Sequence, residues 1–404
     1  MTSSRSLELE EKSQPPLSAH KLKVTILASE WGSEQGELPN LNRALAIQLG
    51  KFHEVEVSLF VPKCSEEDER TARRYSIEIV RAKTRPGYGE LELLSFPPND
   101  LQIHVVVGHG VELGRQAQVI RELCQCKWIQ VVHTDAEELA MFKSSQNTVS
   151  SGEKKHKTEE ELCKLADFVV GVEPKLYESF RRCLRGCKKD SAILEFTPGV
   201  FDEFDNIKHV ERDLKTCSIL LFDRGFINEF ELKGLDIAGS AVAEIEDARL
   251  IFAGAPKGKE EDIAQSFLRC NLPASRLTVR GLVQERESVK RLFCEVDLLL
   301  MPSRTEGFGL TGLEALSAGV PILVSKNSGF GEALSKVPFG ASCVVDSEDS
   351  KVWAEEIEKV WRKERKNRLS EAKGPLTSYD EKYSWSTQCK ALINKMTHIL
   401  SGMQ

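Results

Sequence analysis

Apolar, β-branched stretches alternate with amphipathic stretches through the first half of the chain. The apolar stretches are candidate strands, at residues 23–28, 54–61, 76–80, 103–107, 128–132, 168–172 and 193–196. Amphipathic segments such as Leu41–Leu49 and Glu159–Ala166 lie between them. This alternation predicts βαβ units, in which helices cover both faces of a parallel sheet.

The same pattern starts again in the second half of the chain. Its candidate strands lie at residues 217–222, 249–253, 277–280, 296–301, 322–325 and 342–345. No tandem repeat of the ~20–50 residues typical of solenoids is visible, so the pattern indicates two similar architectures. The seam between them is expected near Pro198–Lys215, where Pro-Gly is followed by a polar, acidic stretch.

The length of 404 residues also favours two domains. We expect a polar, disordered tail at 1–20, a first domain at 21–198, a second domain at 199–378 and a C-terminal helical segment at 379–404. Ser144–Thr158 is rich in Ser, Lys and Gly and predicts a loop or the edge of a helix. Trp385–Leu400 predicts an amphipathic helix.

Composition and charge narrow the class of function. Hydrophobic residues make up 41% of the chain and charged residues 29%, which is typical of a globular protein. A net charge of -7 argues against nucleic acid as the main partner. Residues 1–20 lack the apolar core of a signal peptide, and no apolar run of about 18 residues predicts a membrane span. Peripheral contact with a membrane surface stays open.

The eleven cysteines follow no disulfide framework. Cys124 and Cys126 are too close together for a CxxC pair, and Cys183 and Cys187 lack a matching second pair for a zinc site. Buried, reduced thiols in a cytoplasmic protein are the better interpretation.

The segment from Pro302 to Gly319 carries the clearest candidate chemistry. It begins directly after the candidate strand at 296–301 and predicts a glycine-containing loop followed by a short helix. Gly319 and Pro321 predict the end of that helix. The segment therefore lies at the carboxyl end of a strand, where ligands bind in open α/β sheets.

Four residues of this segment suit a nucleotide-sugar. Gly307 and Gly309 let the backbone approach a ligand, and the start of the helix offers N–H groups to phosphate oxygens. Glu306 and Glu314 are separated by about two helical turns and can flank the same cleft. Two carboxylates beside an anion site fit a ligand with hydroxyls at both ends and phosphate in the middle.

Two other interpretations of this segment remain open from its spacing alone. Residues 307–312 match G-x-G-x-x-G, with Glu332 twenty residues beyond, as in a dinucleotide-binding domain. However, the helix is short, Lys326 rather than an acid follows the next strand, and the motif lies in the fourth β-unit of its domain. Alternatively, the glycines serve close packing and the carboxylates bind no ligand.

The run PSRTEGFGLTGLEALSAGVPILVS strongly resembles the signature of retaining glycosyltransferases with the GT-B fold, the family 4-like group similar to glycogen synthase and sucrose synthase. Their mark is Glu, seven residues and Glu, matched here by Glu306 and Glu314. The resemblance covers most of the chain from about Lys21. It implies two Rossmann-like doubly wound α/β domains facing across a cleft, with the C-terminal helix returning to the first domain.

The resemblance also implies roles for residues of the segment. The carboxylate of Glu306 is expected to contact the donor sugar, and that of Glu314 the ribose. The loop backbone is expected to contact sugar and phosphate, at Gly307, Phe308, Gly309 and Leu310.

Lys233 and Arg224 follow the first strand of the second domain and resemble the family's paired cations. Such a pair can neutralise a departing diphosphate without a metal. No Asp-x-Asp pattern is evident, so no metal or other cofactor is expected. Asp223 replaces the family's Gly before the Arg, which makes Lys233 the closer match; a solvated basic pair is the alternative.

Four further residues lie in stretches that correspond to functional positions of the family, and one of these stretches departs from the family pattern. His133 and His109 each follow a candidate strand and resemble histidines that face the donor sugar and the acceptor. Leu282 lies in a stretch that resembles the loop against the nucleobase. Gly36 lies in the first loop, where the family has adjacent glycines that admit acceptor and phosphate, whereas here the glycines are separated by acids.

The expected function is transfer of a sugar, of hexosyl type, from a nucleoside diphosphate donor to an unknown acceptor with retention at the anomeric carbon. The alternative is a catalytically idle module that binds nucleotide-sugars or partners, which the departures at the first loop and around Arg224 favour.

Overall fold

The computed structural model describes residues 21–32, 37–134, 146–205, 207–209, 215–223, 229–283 and 285–402. Within these residues the chain forms two parallel β-sheets, each covered by helices. This arrangement of α/β layers confirms the fold class predicted from the alternating pattern.

The first sheet has seven parallel strands in the order β3-β2-β1-β4-β5-β6-β7. Its strands are β1 (Leu22–Leu27), β2 (Val55–Val61), β3 (Ile77–Arg81), β4 (Val105–His109), β5 (Lys127–Val132), β6 (Phe168–Val172) and β7 (Ile193–Phe196). The second sheet has six parallel strands in the order β10-β9-β8-β11-β12-β13. Its strands are β8 (Cys217–Phe222), β9 (Ala248–Ala255), β10 (Leu277–Gly281), β11 (Leu298–Met301), β12 (Ile322–Ser325) and β13 (Val344–Val345).

Helices connect the strands on both faces of each sheet. Those of the first half are α1 (Glu37–Gly50), α2 (Glu66–Arg73), α3 (Gly110–Cys124), α4 (Gln146–Leu165) and α5 (Pro174–Leu184). The second half contains α6 (Leu235–Glu244), α7 (Glu260–Arg269), α8 (Arg286–Glu295), α9 (Leu310–Ser317), α10 (Gly329–Ser335), α11 (Ser350–Trp361), α12 (Arg365–Tyr383) and α13 (Trp385–Leu400).

All thirteen candidate strands are present within two residues at each end, because buried parallel strands are apolar almost throughout. The sequence left Ser144–Thr158 open between a loop and the edge of a helix. In its described part the segment is helical, since α4 begins at Gln146 and continues to Leu165. Exposed residues such as Lys154 and Lys155 lie on a helix that packs against α3 and α5, so the polarity of this segment reports a partly solvated helix and not a break in the chain.

The last two helices connect the halves of the molecule. The proposed boundary at residue 378 falls within α12, where the buried hydroxyl of Tyr379 donates to the Pro198 carbonyl at 2.9 Å. Helix α13 packs against α1, and the Gln388 side chain accepts a hydrogen bond from the Thr197 N–H at 3.2 Å. Both halves therefore share apolar core beneath the cleft, including Phe201 and Trp385.

The cysteines are free, as expected, but only some of them are buried. All eleven are free. Cys126, Cys163, Cys217 and Cys389 are buried, whereas Cys124, Cys183 and Cys187 are exposed. Among the described residues, no helix is long and apolar enough to cross a membrane.

Candidate active site between the two sheets

The strand orders place candidate residues at the two points where ligands bind in open α/β sheets. The order in which the strands are added reverses between β1 and β4 in the first sheet, and between β8 and β11 in the second. The carboxyl end of β4 is His109, and the carboxyl ends of β8 and β11 lead into Asp223 and Pro302. A ligand at these switch points is surrounded by loops and helix N-termini.

Two glycines shape the loop between β11 and α9. A Cβ on Gly307 would lie 3.1 Å from the His133 carbonyl oxygen and 3.0 Å from the Thr134 methyl, so the loop approaches the end of β5 in the other sheet. Gly309 has φ +88°, and a Cβ there would lie 2.7 Å from the Met301 methyl. Gly309 is the N-cap of α9 and provides no capping side chain for its first turn.

The carboxylate of Glu306 is paired with Lys233 at the edge of this loop. The Lys233 ammonium donates to Oε2 at 2.8 Å and to Oε1 at 3.1 Å, and it lies 3.6 Å from Asp223. The Ser303 hydroxyl donates to Glu306 Oε2 at 3.1 Å. The backbone at Gly234, next to Lys233, lies directly against the loop. Only glycine fits there, since any Cβ would overlap the Pro302 carbonyl.

The second carboxylate of the pattern is in a different environment. Glu314 is buried, and its Oε1 accepts a hydrogen bond from Arg286 Nη1 at 2.6 Å. Arg286 also pairs with Glu203 at 3.0 Å and lies over the Phe204 ring. Burial lowers the pKa of the Arg286 guanidinium, but the carboxylates of Glu314 and Glu203 outweigh it and raise that pKa above its usual value.

The two candidate histidines contact each other. His109 Nδ1 lies 2.7 Å from His133 Nε2, and their rings are stacked with centroids 4.9 Å apart. Burial lowers the pKa of His133 to about 3, and burial together with His133 holds the pKa of His109 well below its usual value. Both rings are therefore neutral at pH 7 and share one hydrogen between these two nitrogens.

His109 is 1% exposed, and its Nε2 is buried without a hydrogen-bond partner among the described residues. The geometry therefore supports a positioning role, in which His109 orients the His133 ring and selects its tautomer. Contact of His109 with an acceptor stays a prediction.

A cavity of about 450 Å³ opens beside the glycine loop, between the two halves of the chain. Thr134, Glu173 and Lys175 line it from the first half, and Glu306 and Gly307 from the second. A cavity of this size and polarity can hold a small sugar-like molecule next to the Glu306 carboxylate. Among the described residues, no group of three or more His, Cys, Asp or Glu side chains is placed to hold a metal ion.

The structure gathers most of the predicted site residues around the glycine loop. The side chains of Phe308 and Leu310 are buried, so only their backbone can face a ligand. Leu282 follows β10 and is 37% exposed. The remaining two predicted residues, Arg224 and Gly36, lie outside the described residues.

Sequence reasoning missed three residues that contact the two carboxylates or the cation paired with them. Arg286 and Glu203 surround Glu314, and Ser303 contacts Glu306. Only Ser303 had a sequence signal, because it lies three residues before Glu306. Arg286 lies twenty-eight residues from Glu314 in the chain, and nothing in the local pattern separates it from an ordinary surface arginine.

Two parallel sheets that share a cleft at their carboxyl ends define the GT-B class of fold. The chain belongs to a family of glycosyltransferases: the model of family 4 glycosyltransferases in conflict systems matches residues 25–392. This match confirms the predicted resemblance and favours it over the dinucleotide-binding interpretation of residues 307–312.

Curated relatives support the same family. A D-inositol 3-phosphate glycosyltransferase from Corynebacterium urealyticum is 23% identical over 314 residues, which cover 72% of this chain and 71% of that protein.

Solved structures share the fold at low identity. A sucrose-phosphate synthase from Thermosynechococcus elongatus has a TM-score of 0.71 at 14% identity, covering 95% of this chain and 100% of that one. Anabaena Alr3699/HepE, in complex with UDP and glucose, has a TM-score of 0.68 at 13% identity, covering 93% and 99%.

Proposed function

We propose that the chain transfers a hexosyl group from a nucleoside diphosphate sugar to an acceptor, with retention at the anomeric carbon. The observation that carries this proposal is the Lys233–Glu306 pair at the start of the glycine loop, 2.8 Å between Nζ and Oε2. The pair puts a cation for the diphosphate beside a carboxylate for the sugar hydroxyls, at the switch point of the second sheet.

The proposed catalysis is mainly positioning and electrostatic stabilisation. The Lys233 ammonium and the first turn of α9 stabilise the negative charge that develops on the departing diphosphate. The Glu306 carboxylate accepts hydrogen bonds from hydroxyls of the donor sugar and keeps Lys233 in place. His133 presents a neutral ring, oriented by His109, towards the sugar.

Metal independence is part of this proposal, because Lys233 and the helix N-terminus supply the charge that a bound cation would otherwise provide. Arg224 is proposed as a second cation for the diphosphate. We further propose a cytoplasmic location, for which the eleven free cysteines are the support.

A relative suggests which donor base to test first, and the cavity beside Glu306 suggests where the acceptor binds. The Anabaena structure holds UDP and glucose, so UDP-sugars are the first donors to test. The acceptor is proposed to enter the cavity of about 450 Å³ beside Glu306, where Lys175 and Arg182 add positive charge from α5.

A second candidate function is a nucleotide-sugar-binding module without turnover. The Arg286–Glu314 ion pair favours it, because the carboxylate assigned to the ribose is already paired and buried. A donor must therefore share or displace a strong charge-assisted hydrogen bond before it can use Glu314.

One experiment separates these functions. Radiolabelled UDP-, GDP- and ADP-sugars are each incubated with the protein in the presence of EDTA, and binding, nucleotide release and sugar transfer to water or added sugars are measured. Release of a nucleoside diphosphate under EDTA supports the transferase. Binding of a donor without any release, with or without added metal, supports the module. Absence of binding to every donor contradicts both.

A further inference from the structure

A second cavity lies at the opposite edge of the first sheet from the candidate active site. Its volume is about 340 Å³, and Lys127, Asp167 and Ala192 on its wall stand at the amino ends of β5, β6 and β7. Six-residue strands such as β5 separate the two edges of the sheet by about 15–20 Å. This basal cavity is therefore distinct from the cleft.

Positive charge dominates the basal cavity in a protein whose net charge is -7. The wall includes the carboxylate of Asp167 and a set of cationic or titratable side chains from three separate segments: Lys127, Lys188, Lys189, Lys395 and His398. The Asp167 carboxylate is already engaged, since it accepts hydrogen bonds from Arg121 Nε at 2.8 Å and from the Trp128 N–H at 3.0 Å. It also pairs with Lys127 at 3.4 Å, so the charge not paired with Asp167 comes from Lys188, Lys189 and Lys395.

Two lysines of the basal cavity are held in place by backbone carbonyl groups. Lys395 Nζ donates to the Ser191 carbonyl at 3.0 Å, and Lys188 Nζ donates to the Ala166 carbonyl. A carbonyl fixes an ammonium group but does not neutralise it. Burial lowers the pKa of Lys188, and the neighbouring Asp167 carboxylate offsets only part of that effect.

We propose that the basal cavity binds a phosphate-bearing anion. The ammonium groups of Lys188 and Lys189, in the segment after α5, and of Lys395 on α13 line the same cavity. Together they match the several acceptor oxygens and the double charge of a phosphate. The volume suits a small phosphorylated molecule or the phosphate of a lipid headgroup. Because α13 supplies Lys395, the ligand contacts the helix that connects the two halves of the chain.

Inorganic pyrophosphate is the probe, measured by calorimetric titration at low ionic strength. The donor site can also attract it, so Lys233→Gln is titrated beside the wild type. We expect Lys233→Gln to keep binding pyrophosphate. Lys189→Gln/Lys395→Gln, tested in that background, should weaken the remaining affinity about tenfold or more, because two charge-assisted hydrogen bonds are lost.

The matched control is Lys351→Gln/Lys366→Gln, which removes the same charge from α11 and α12. It should leave pyrophosphate affinity unchanged, and the midpoints of thermal unfolding should show that both double variants are folded. Unchanged affinity in Lys189→Gln/Lys395→Gln, or equal weakening in the control, overturns the proposal.

Vesicles distinguish the two sources of phosphate. Cosedimentation with vesicles of phosphatidylcholine and phosphatidic acid, absent with phosphatidylcholine alone and lost in Lys189→Gln/Lys395→Gln, supports a lipid headgroup. Pyrophosphate binding without cosedimentation supports a soluble phosphorylated ligand. The failure of pyrophosphate to bind Lys233→Gln contradicts both and leaves the proposed transferase activity unaffected.

Discussion

Arg286 donates a 2.6 Å hydrogen bond to the buried carboxylate of Glu314. The same guanidinium pairs with Glu203 on its other side. The carboxylate that the Glu-x7-Glu pattern assigns to the ribose is thus part of a charge network in the described structure. Nucleotide binding at this position depends on how readily Glu314 exchanges Arg286 for ribose hydroxyls.

Replacing this carboxylate tests its role in nucleotide binding. Glu314→Gln keeps the shape of the side chain but weakens its acceptor capacity, so UDP affinity is expected to fall by about 1–3 kcal/mol. Calorimetric titration with UDP measures the change. Glu287→Gln, on the exposed face of α8 beside Arg286, is the control and should bind UDP as the wild type does. An unchanged dissociation constant for Glu314→Gln removes this residue from the site.

The neutral histidine pair predicts a loss of stability in acid. The folded-state pKa of His133 is about 3, below the usual value of about 6.5, so the unfolded chain binds more protons between these values. Stability therefore falls as the pH drops below 6.5, by about 2 kcal/mol from His133 alone at pH 5. Urea unfolding at pH 7 and pH 5 measures the effect. The loss between these pH values should be smaller in His133→Gln; an equal loss contradicts the assignment.

A buried charge triad stabilises the second domain. The Asp297 carboxylate accepts hydrogen bonds from Arg365, from Arg368 at 2.9 Å and from the Ser218 N–H at 2.9 Å, and its side chain is fully buried. Asp297→Ala leaves two buried cations without this partner and should lower the free energy of unfolding by about 3–5 kcal/mol.

The control for the triad is Asp346→Ala, which breaks the exposed 2.6 Å pair with Lys326. It should cost less than about 1 kcal/mol in urea unfolding. Equal costs for the two variants would mean that the Asp297 triad contributes no more than a surface pair.

Two glycines with similar positive φ angles allow backbone strain to be tested separately from function. Gly309 has φ +88° and touches Met301 at the site, whereas Gly87 has φ +85° with no atom within 4 Å of an added Cβ. Gly87→Ala should cost about 1 kcal/mol of stability and leave donor turnover unchanged. Gly309→Ala should cost more and reduce turnover, because the loop must shift. Equal turnover in both variants contradicts a role for the loop geometry.

The sequence was sufficient for the fold and for the glycine loop. The strands were predictable because parallel strands such as β11 and β12 are apolar on both faces. The end of α9 was predictable from Gly319, which adopts φ +72° directly after the C-cap residue Ala318.

The charge pairing of the site was not predictable from local pattern. The Arg286–Glu314 and Lys233–Glu306 pairs join residues that are 28 and 73 positions apart, and tertiary packing alone decides which cation meets which carboxylate. Likewise, two histidines at strand ends indicated a shared edge, but their direct contact depends on the pairing of β4 with β5. The first part of helix α4 was left open between a loop and a helix edge, because its Ser and Lys content resembles that of a loop.

Donor turnover by Lys233→Gln is the most direct test of the proposed transferase. The variant keeps a hydrogen-bond donor near Glu306 but removes the charge that stabilises the leaving diphosphate. The substrate is the nucleotide-sugar that the wild type turns over fastest. We predict that kcat for release of the nucleoside diphosphate falls about 10²–10³-fold in the variant. The control Lys359→Gln, in an exposed pair on α11, should turn over as the wild type does. Wild-type kcat in Lys233→Gln would contradict the proposed mechanism.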